Sequence, residues 1–292
     1  MKPAPFRYVA ARSVEQALAL KAEHGDEARF LAGGQSLVPA MNFRLARPSV
    51  LIDLNRIATL AGTEVVDGGL RIGGMARHRT LEQSPIVARL APLVAETMPF
   101  VAHPPIRTRG TLGGSLAHAD PAAELPAVMV ALDASINVRS RAAARSVPAS
   151  AFFVGLFATS LAPDELLVDV TIPAMAPGSG WAIDEVSRRH GDFALAGAVA
   201  VVTLDAGGRV ATAVVTLVSL HERPIRAVEA ERVVVGDAPT PDRVRAAGEA
   251  AGRLDAAPWS DLHASSAFRR HLGAGLVTRV LTRAVERAGR PV

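Results

Sequence analysis

The sequence contains two diglycine turns, Ala32-Gly33-Gly34-Gln35-Ser36-Leu37 and Thr111-Leu112-Gly113-Gly114-Ser115-Leu116. Glycine adopts positive φ at little cost and has no Cβ to hold a ligand away from the backbone. If the two turns meet in space, their main-chain N–H groups can line a long ligand that contains phosphate. A dinucleotide fits that description, so the turns predict a dinucleotide site.

The first turn lies inside a predicted β-α-β unit. Ser13, with Gln16 three residues later, forms a capping box that predicts a helix to Glu23. After it we expect a strand, the first diglycine turn, a helix and a buried strand, at 29–32, 32–37, 37–45 and 50–54. Strand, turn, helix and strand in this order indicate parallel pairing of the two strands.

Two well-known phosphate-binding patterns do not match this turn. Gly33 and Gly34 with Asp53 twenty residues later imitate the dinucleotide fingerprint of doubly wound folds, but the third glycine is missing. The Walker pattern also fails, because no Gly-Lys-Ser/Thr follows. The second turn therefore has to carry the prediction of a nucleotide site.

The middle of the chain mixes helices and strands. The double proline in Ala102-His103-Pro104-Pro105-Ile106 predicts an irregular segment, because proline cannot donate to a β-ladder. We expect a helix from Pro121 to Leu132, with Asp120 as its N-cap. The other predicted elements are strands at 70–73, 136–139 and 166–172 and helices at 80–84 and 86–97.

A Pro- and Gly-rich segment, residues 173–180, predicts a domain boundary. Beyond it, β-rich runs at 194–204 and 210–220 flank Asp205-Ala206-Gly207-Gly208-Arg209, which predicts a hairpin. Helices are expected at 226–234, 241–254 and 266–287. The fold class is α+β. The predicted domains are 1–176, with lobes at about 1–57 and 58–176, and 177–292.

Composition excludes several classes of function. The 292 residues hold no cysteine, so this chain has no disulfide, catalytic thiol or thiolate-bound iron–sulfur cluster. The net charge is +4, and basic patches interleaved with aromatic residues are lacking, which argues against nucleic-acid binding. No apolar run is long enough for a membrane span, and Met1–Pro5 has no apolar signal core. A cytoplasmic location is expected.

A polar cluster follows the second turn. His118, Asp120 and Glu124 offer one imidazole and two carboxylates, but the paired histidines of a helical zinc motif are absent. The alternative is that Asp120 caps the next helix and Glu124 lies in its first turn. A carboxylate there can also accept hydrogen bonds from ribose hydroxyls. No catalytic Ser/His/Asp constellation is recognisable, as expected where a cofactor performs the chemistry.

Together with Leu51–Leu54, Arg109–Ser115, His118–Pro126 and Arg188–Ala196, the first turn resembles the FAD-binding medium subunit of molybdenum hydroxylases, the xanthine dehydrogenase family. Within it, the motifs point to the medium chain of aerobic carbon monoxide dehydrogenase. The order and spacing of the motifs agree over essentially the whole chain. The resemblance implies a two-lobed, PCMH-type FAD-binding domain followed by a C-terminal domain with a small antiparallel sheet and helices.

The resemblance also implies which residues contact FAD. The two turns would hold the diphosphate, and Thr111 and Ser115 would add hydroxyl contacts. The full implied set is Ala32, Gly33, Gly34, Gln35, Ser36, Leu37, Val101, Thr111, Leu112, Gly113, Gly114, Ser115, Asp120, Glu124, Leu167, Arg189 and Phe193. Phe193 departs from the family, in which a tyrosine often lies beside the isoalloxazine, because phenylalanine keeps the stacking face and lacks the hydroxyl.

The implied mechanism is electron transfer within a complex. A molybdenum-cofactor large subunit oxidises the substrate, and a small subunit with two 2Fe–2S clusters passes single electrons to the FAD of this chain. The flavin then delivers two electrons to a quinone, NAD or oxygen. No catalytic residue and no protein-bound metal are expected in this chain.

Two rival interpretations remain open. A self-sufficient flavin oxidase of the same cofactor-binding superfamily usually has a larger substrate domain than the residues after 176 provide, and often binds FAD covalently. A nucleotide-binding scaffold without redox function would keep the fold and lack a flavin spectrum.

Overall fold

The computed structural model describes residues 2–253 and 258–289. Helices and strands form three packed units, each with its own sheet, and the α+β prediction is confirmed. Within the described residues, no helix combines the length and the apolar character that a membrane crossing requires.

The first unit is a three-stranded sheet with helices. Its elements are β1 (Arg7–Ala10), α1 (Val14–His24), β2 (Ala28–Leu31), α2 (Leu37–Asn42) and β3 (Val50–Asp53). All pairs are parallel in the order β1-β3-β2, and every residue of the central β3 is buried. The predicted capping is confirmed, since the Ser13 hydroxyl accepts the N–H of Gln16 at 3.1 Å. The predicted β-α-β unit is also confirmed.

The second unit surrounds a five-stranded antiparallel sheet with the order β4-β5-β10-β6-β7. Its strands are β4 (Thr63–Val66), β5 (Gly69–Gly73), β6 (Ser135–Arg139), β7 (Ala144–Pro148) and β10 (Leu166–Pro173), with a separate hairpin β8 (Phe153–Gly155) and β9 (Ala158–Thr159). Its helices are α3 (His78–Gln83), α4 (Pro85–Leu90), α5 (Pro92–Thr97), α6 (Pro104–Arg107), α7 (Leu112–His118), α8 (Glu124–Ala131) and α9 (Ala149–Phe152).

The third unit is a four-stranded antiparallel sheet with the order β11-β12-β13-β14. Its elements are β11 (Ser179–Ser187), β12 (Ala194–Leu204), β13 (Val210–Val218), β14 (Ile225–Arg226), α10 (Val228–Val234), α11 (Pro241–Ala251) and α12 (Ser266–Ala288). One sheet face packs on α12, and the other packs on α8 of the second unit. Hydrogen bonds tie the second and third units together. Among them, the Thr216 hydroxyl donates to the Ala127 carbonyl at 3.0 Å, and the Ser219 N–H donates to the Pro121 carbonyl at 2.9 Å.

Three local predictions were wrong. Residues 102–106 are not wholly irregular, because α6 begins at Pro104; its two prolines stand in the first turn, where N–H groups have no helical acceptor. The helix predicted at 86–97 is two helices, since Ala91 leaves the helical region before Pro92. The helix predicted from Pro121 begins at Glu124.

Other differences concern the ends of elements. The helix predicted at 37–45 ends at Asn42, and Arg44 has a φ of 60°. The helix predicted at 241–254 ends at Ala251, and residue 254 lies outside the described residues. The missed strands are β1, β4, β7, β8, β9, β11 and β14, because most of them are short or carry many polar residues. The domain boundary at 176/177 stays a prediction.

Candidate functional site

The two diglycine turns meet. A Cβ placed on Gly33 would lie 2.3 Å from the carbonyl oxygen of Arg109, just before the second turn. A Cβ placed on Gly114 would lie 3.5 Å from the Cβ of Ala32. Residues eighty positions apart are thus in backbone contact, at the junction of the first two units. This is the arrangement that a ligand held by both turns requires.

The first turn presents a run of free donors. Within the described residues, the five consecutive backbone N–H groups of 33–37 donate to no protein atom. The turn reverses at Gly34, whose φ is +74°, and α2 then begins with the Val38 N–H donating to the Gly34 carbonyl at 3.0 Å. Consecutive unpaired N–H groups in a turn form a concave site for an anion, and the phosphates of a dinucleotide suit it.

The N–H groups of the second turn are largely occupied. Those of Leu112 and Gly113 donate to the carbonyls of Ala76 and Gly74 at 3.0 and 2.8 Å, and that of Ser115 donates to the Thr111 carbonyl at 3.0 Å. The Gly114 N–H donates to the buried Thr111 hydroxyl at 3.0 Å. Main-chain N–H groups are therefore free in the first turn and engaged from Leu112 to Ser115 in the second, and contact of either turn with phosphate stays a prediction.

Glycine in the second turn serves close packing. A Cβ on Gly113 would lie 2.7 Å from the Gly74 carbonyl oxygen, so this turn lies directly against the end of β5. Gly74 in turn packs against the backbone of Leu167, which is buried in β10. Leu167 is thus connected to the second turn through Gly74, and Ser115 in that turn is half-buried.

Side chains hold the carbonyls of the turns. Asn55 Nδ2 donates to the Ala32 carbonyl at 3.0 Å, and Gln35 Nε2 donates to the Gly33 carbonyl at 3.2 Å. Arg77 donates through one terminal nitrogen to the Arg109 carbonyl and through the other to Asn55 Oδ1. The carbonyls of Ala32, Gly33 and Arg109 are therefore already bonded, while the N–H groups of 33–37 stay free to donate.

Glu124 lies at the contact between the second and third units. It is the first residue of α8, is 7% exposed, and burial raises its pKa to about 7, with nearby Asp120 acting in the same direction. Glu185 on β11 faces the same contact; burial, Glu124 and Asp184 raise its pKa to about 8. Glu185 Oε2 is buried without a hydrogen-bond partner among the described residues. The carboxyls of buried Glu124 and half-buried Glu185 thus share one region, where a protonated one can donate a hydrogen bond.

Asp120 is not the N-cap of α8. Its Oδ1 accepts the N–H of Ala122 at 2.9 Å in a turn, and the residue before α8 is Ala123, which provides no side-chain cap. The reason is that Pro121 and Ala122 form that turn before the helix starts. Within the described residues, His118, Asp120 and Glu124 do not gather into a metal-binding group.

The remaining predicted contacts lie around the tip of the β11–β12 hairpin. Gly191, with a φ of +83°, packs against the ring of His103. A Cβ placed on this glycine would lie 2.3 Å from His103 Cε1. This contact brings the hairpin tip to the segment that begins at Val101. Arg189 is exposed and pairs with Asp192 at 3.1 Å. Phe193 is 70% exposed, so its ring is available to a ligand.

Sequence reasoning missed three residues beside these sites: Asn55, Arg77 and Glu185. Asn55 and Arg77 belong to no recognisable motif, and only the packing of the first two units brings them together. Glu185 had one signal: in the alternating pattern of β11 it falls on the same face as Trp181 and Ile183.

Comparison with known protein families assigns both parts of the chain. Residues 4–175 match the model described as FAD binding domain in molybdopterin dehydrogenase, and residues 181–284 match CO dehydrogenase flavoprotein C-terminal domain. The chain therefore belongs to the flavoprotein, or medium-subunit, family of molybdenum hydroxylases. It is the FAD-binding component of an oxidoreductase.

Individual relatives align with this chain over nearly its full length. The alpha subunit of the 6-hydroxypseudooxynicotine dehydrogenase complex of Paenarthrobacter nicotinovorans is 44% identical over 99% of this chain and 97% of its own length. The carbon monoxide dehydrogenase medium chain of Hydrogenophaga pseudoflava is 37% identical over 97% and 98%. The resemblance inferred from the motifs is confirmed.

Solved structures show the same fold. The carbon monoxide dehydrogenase structure from Hydrogenophaga pseudoflava matches with a TM-score of 0.95 and 38% identity, covering 98% of this chain and 99% of that chain. Quinoline 2-oxidoreductase from Pseudomonas putida 86 matches with a TM-score of 0.95 and 38% identity, covering 99% and 100%. The predicted two-lobed FAD-binding domain with a C-terminal sheet and helices is confirmed.

Proposed function

We propose that this chain collects electrons on FAD within a molybdenum hydroxylase complex and passes them to an external acceptor. The run of free N–H groups at 33–37 carries the proposal, because these donors at the junction of the first two units would suit the diphosphate of FAD. Bound FAD supplies the conversion between single-electron and two-electron transfer.

The residues of this chain would bind and orient the cofactor. The first turn would hold the diphosphate, and the Ser115 hydroxyl would add a donor from the second turn. Glu124, at the start of α8, would accept a hydrogen bond from a hydroxyl of the sugar or ribityl chain. Phe193, at the exposed hairpin tip, would cover a face of the ring, where aromatic stacking contributes about 0.5–1.5 kcal/mol. Val101 and Arg189 would complete that end of the site.

The partners would be a molybdenum-cofactor large subunit and a 2Fe–2S small subunit. The absence of cysteine supports this arrangement, because this chain has no thiolate to hold an iron–sulfur cluster of its own. The names of its relatives support it too, since they are subunits or chains of dehydrogenases and hydroxylases. The cytoplasmic location stays a prediction.

Purification of the full chain with FAD tests the cofactor assignment. We expect the visible absorption of a flavoprotein, stoichiometric FAD and release of that FAD on acid precipitation. Flavin that stays with the precipitated protein would favour the self-sufficient oxidase. Protein that binds no flavin would favour the scaffold.

Reconstitution tests the electron route. The flavin-loaded chain, mixed with reduced 2Fe–2S subunit under anaerobic conditions, should show bleaching of the flavin bands as the cluster is oxidised. A matched mixture with flavin-free chain should leave the cluster reduced. Direct reduction of the isolated flavoprotein by a small alcohol would contradict the proposal.

A further inference from the structure

We propose that Asn55 and Arg77 are positioning residues for the cofactor diphosphate: they hold the carbonyls of the two turns and so aim the free N–H groups of the first turn at the ligand. This inference rests on the proposed function. Neither residue belongs to the diglycine motifs, and neither is among the contacts that the resemblance implies.

Asn55 is the link on the side of the first unit. Its Nδ2 donates to the Ala32 carbonyl at 3.0 Å, and its Oδ1 accepts from Arg77. In a trans peptide the C=O and the following N–H point in opposite directions. Holding the Ala32 carbonyl therefore directs the Gly33 N–H away from Asn55, into the space in front of the turn.

Arg77 is the link on the side of the second unit. It directly precedes α3, and its backbone forms an isolated antiparallel bridge with Thr111, the first residue of the second turn. Its guanidinium joins Asn55 to the Arg109 carbonyl, the same oxygen that limits the approach of Gly33. One planar, forked side chain thus spans both turns and sets their separation. It also places a positive charge beside an expected diphosphate.

Asp53 holds Asn55 in place through hydrogen bonds. It is 6% exposed at the end of β3, and its Oδ1 accepts the N–H of Asn55 at 2.9 Å and also bonds Asn55 Nδ2. Its Oδ2 accepts from the Tyr8 hydroxyl. The position that imitates a ribose-binding acid in the sequence is therefore occupied in orienting Asn55.

The test uses the full chain freed of flavin and measures binding of FAD and of ADP, which carries a diphosphate without the flavin ring. We expect Arg77→Gln to weaken both ligands about tenfold, the loss typical of a hydrogen bond to a charged group. Asn55→Ala should weaken both about three- to tenfold, and Arg77→Lys should lie between wild type and Arg77→Gln. The double variant should be no weaker than the worse single variant, because both side chains act in one contact chain.

Arg71→Gln is the control, since Arg71 is an exposed arginine whose guanidinium pairs with Glu64 on the neighbouring strand and hydrogen-bonds to neither turn. It should bind both ligands as wild type does. Unchanged affinity of Arg77→Gln and Asn55→Ala would overturn the inference. So would an affinity loss that follows a lower melting temperature of the flavin-free chain and is not relieved in Arg77→Lys. A wild-type chain that binds no FAD would refute the proposed function instead, and this inference with it.

Discussion

Gly33 packs against the carbonyl oxygen of Arg109 so closely that a Cβ on the glycine would lie 2.3 Å away. The carbonyl oxygen belongs to the backbone and a Cβ is bonded directly to it, so neither atom can rotate out of the way as the end of a flexible side chain would. This contact joins the first two units at the point where the free N–H groups begin. It explains why glycine stands at this position although its φ is not in the left-handed region.

Gly33→Ala should therefore separate the two turns. We expect a loss of about 1–3 kcal/mol in the free energy of unfolding, as for other overpacked sites, and FAD affinity at least about tenfold lower. Urea denaturation and flavin titration measure the two effects. Gly275→Ala is the control: nothing lies within 4 Å of its added Cβ in helix α12, so stability should stay level or rise by up to about 1 kcal/mol. Wild-type FAD affinity in Gly33→Ala would contradict the contact.

Glu185 should make stability fall as pH rises. Its pKa is raised from 4.5 to about 8 by burial first and by Glu124 next. Between these values the unfolded chain is ionised and the folded chain is protonated, so the folded state binds more protons and the free energy of unfolding decreases with pH. Glu185→Gln removes this dependence while it mimics the protonated carboxyl.

Denaturation curves at several pH values check this expectation. Glu185→Gln should match wild type at about pH 4.5 and below and become progressively more stable than wild type as pH rises from there to about 8, the window between the two pKa values. The control is Glu249→Gln, which changes an exposed residue of α11 and should leave the pH profile of stability unaltered. A parallel profile for Glu185→Gln and wild type would show that this carboxyl is already ionised in the folded protein.

Arg269 should be important for the stability of the third unit. It is 2% exposed near the start of α12, donates to the Leu195 carbonyl and to Ser219 Oγ, the latter at 3.1 Å, and pairs with Asp261. Arg269→Met leaves these acceptors without their donor, and we expect a loss of about 2–4 kcal/mol in the free energy of unfolding. Arg270→Met, at the exposed neighbouring position, should change it by less than about 0.5 kcal/mol. Equal values for the two variants would refute this expectation.

Phe193 should matter to the cofactor and not to the fold. Because the side chain is 70% exposed, Phe193→Ala should leave the melting temperature of the flavin-free chain unchanged. Loss of stacking on the ring should weaken FAD about two- to tenfold and alter the flavin circular dichroism. Phe193→Tyr should keep the affinity. The matched control is Phe268→Ala, which removes a partly exposed ring from α12 and should not affect FAD binding.

Local patterns predicted the elements that depend on short-range physics. The capping hydroxyl of Ser13 marked the start of α1, and the apolar runs of β12 and β13 marked a hairpin. The prediction failed at Ala91 and Asp120, where a proline one residue later imposes the local geometry. In both cases the helix limits depend on a backbone turn that composition alone does not show.

The candidate site also has features that the sequence shows and features that only packing decides. The diglycine pairs are visible in the sequence, because positive φ and close backbone approach are requirements that glycine meets by itself. Which turn keeps its N–H groups free is not visible. The Gly74 and Ala76 carbonyls occupy the donors of the second turn, and those contacts join residues more than thirty positions apart.

By itself, the sequence determined the two turns, the first β-α-β unit, the β12–β13 hairpin and the family of the chain, since these depend on residue type and short spacing. Only the tertiary structure decided that Gly33 abuts Arg109, that Asn55 and Arg77 hold both turns, and that Glu185 shares a buried region with Glu124. The physical reason is that hydrogen bonding and desolvation between distant residues arise only when separate units pack. No local pattern of side chains encodes which surfaces will meet.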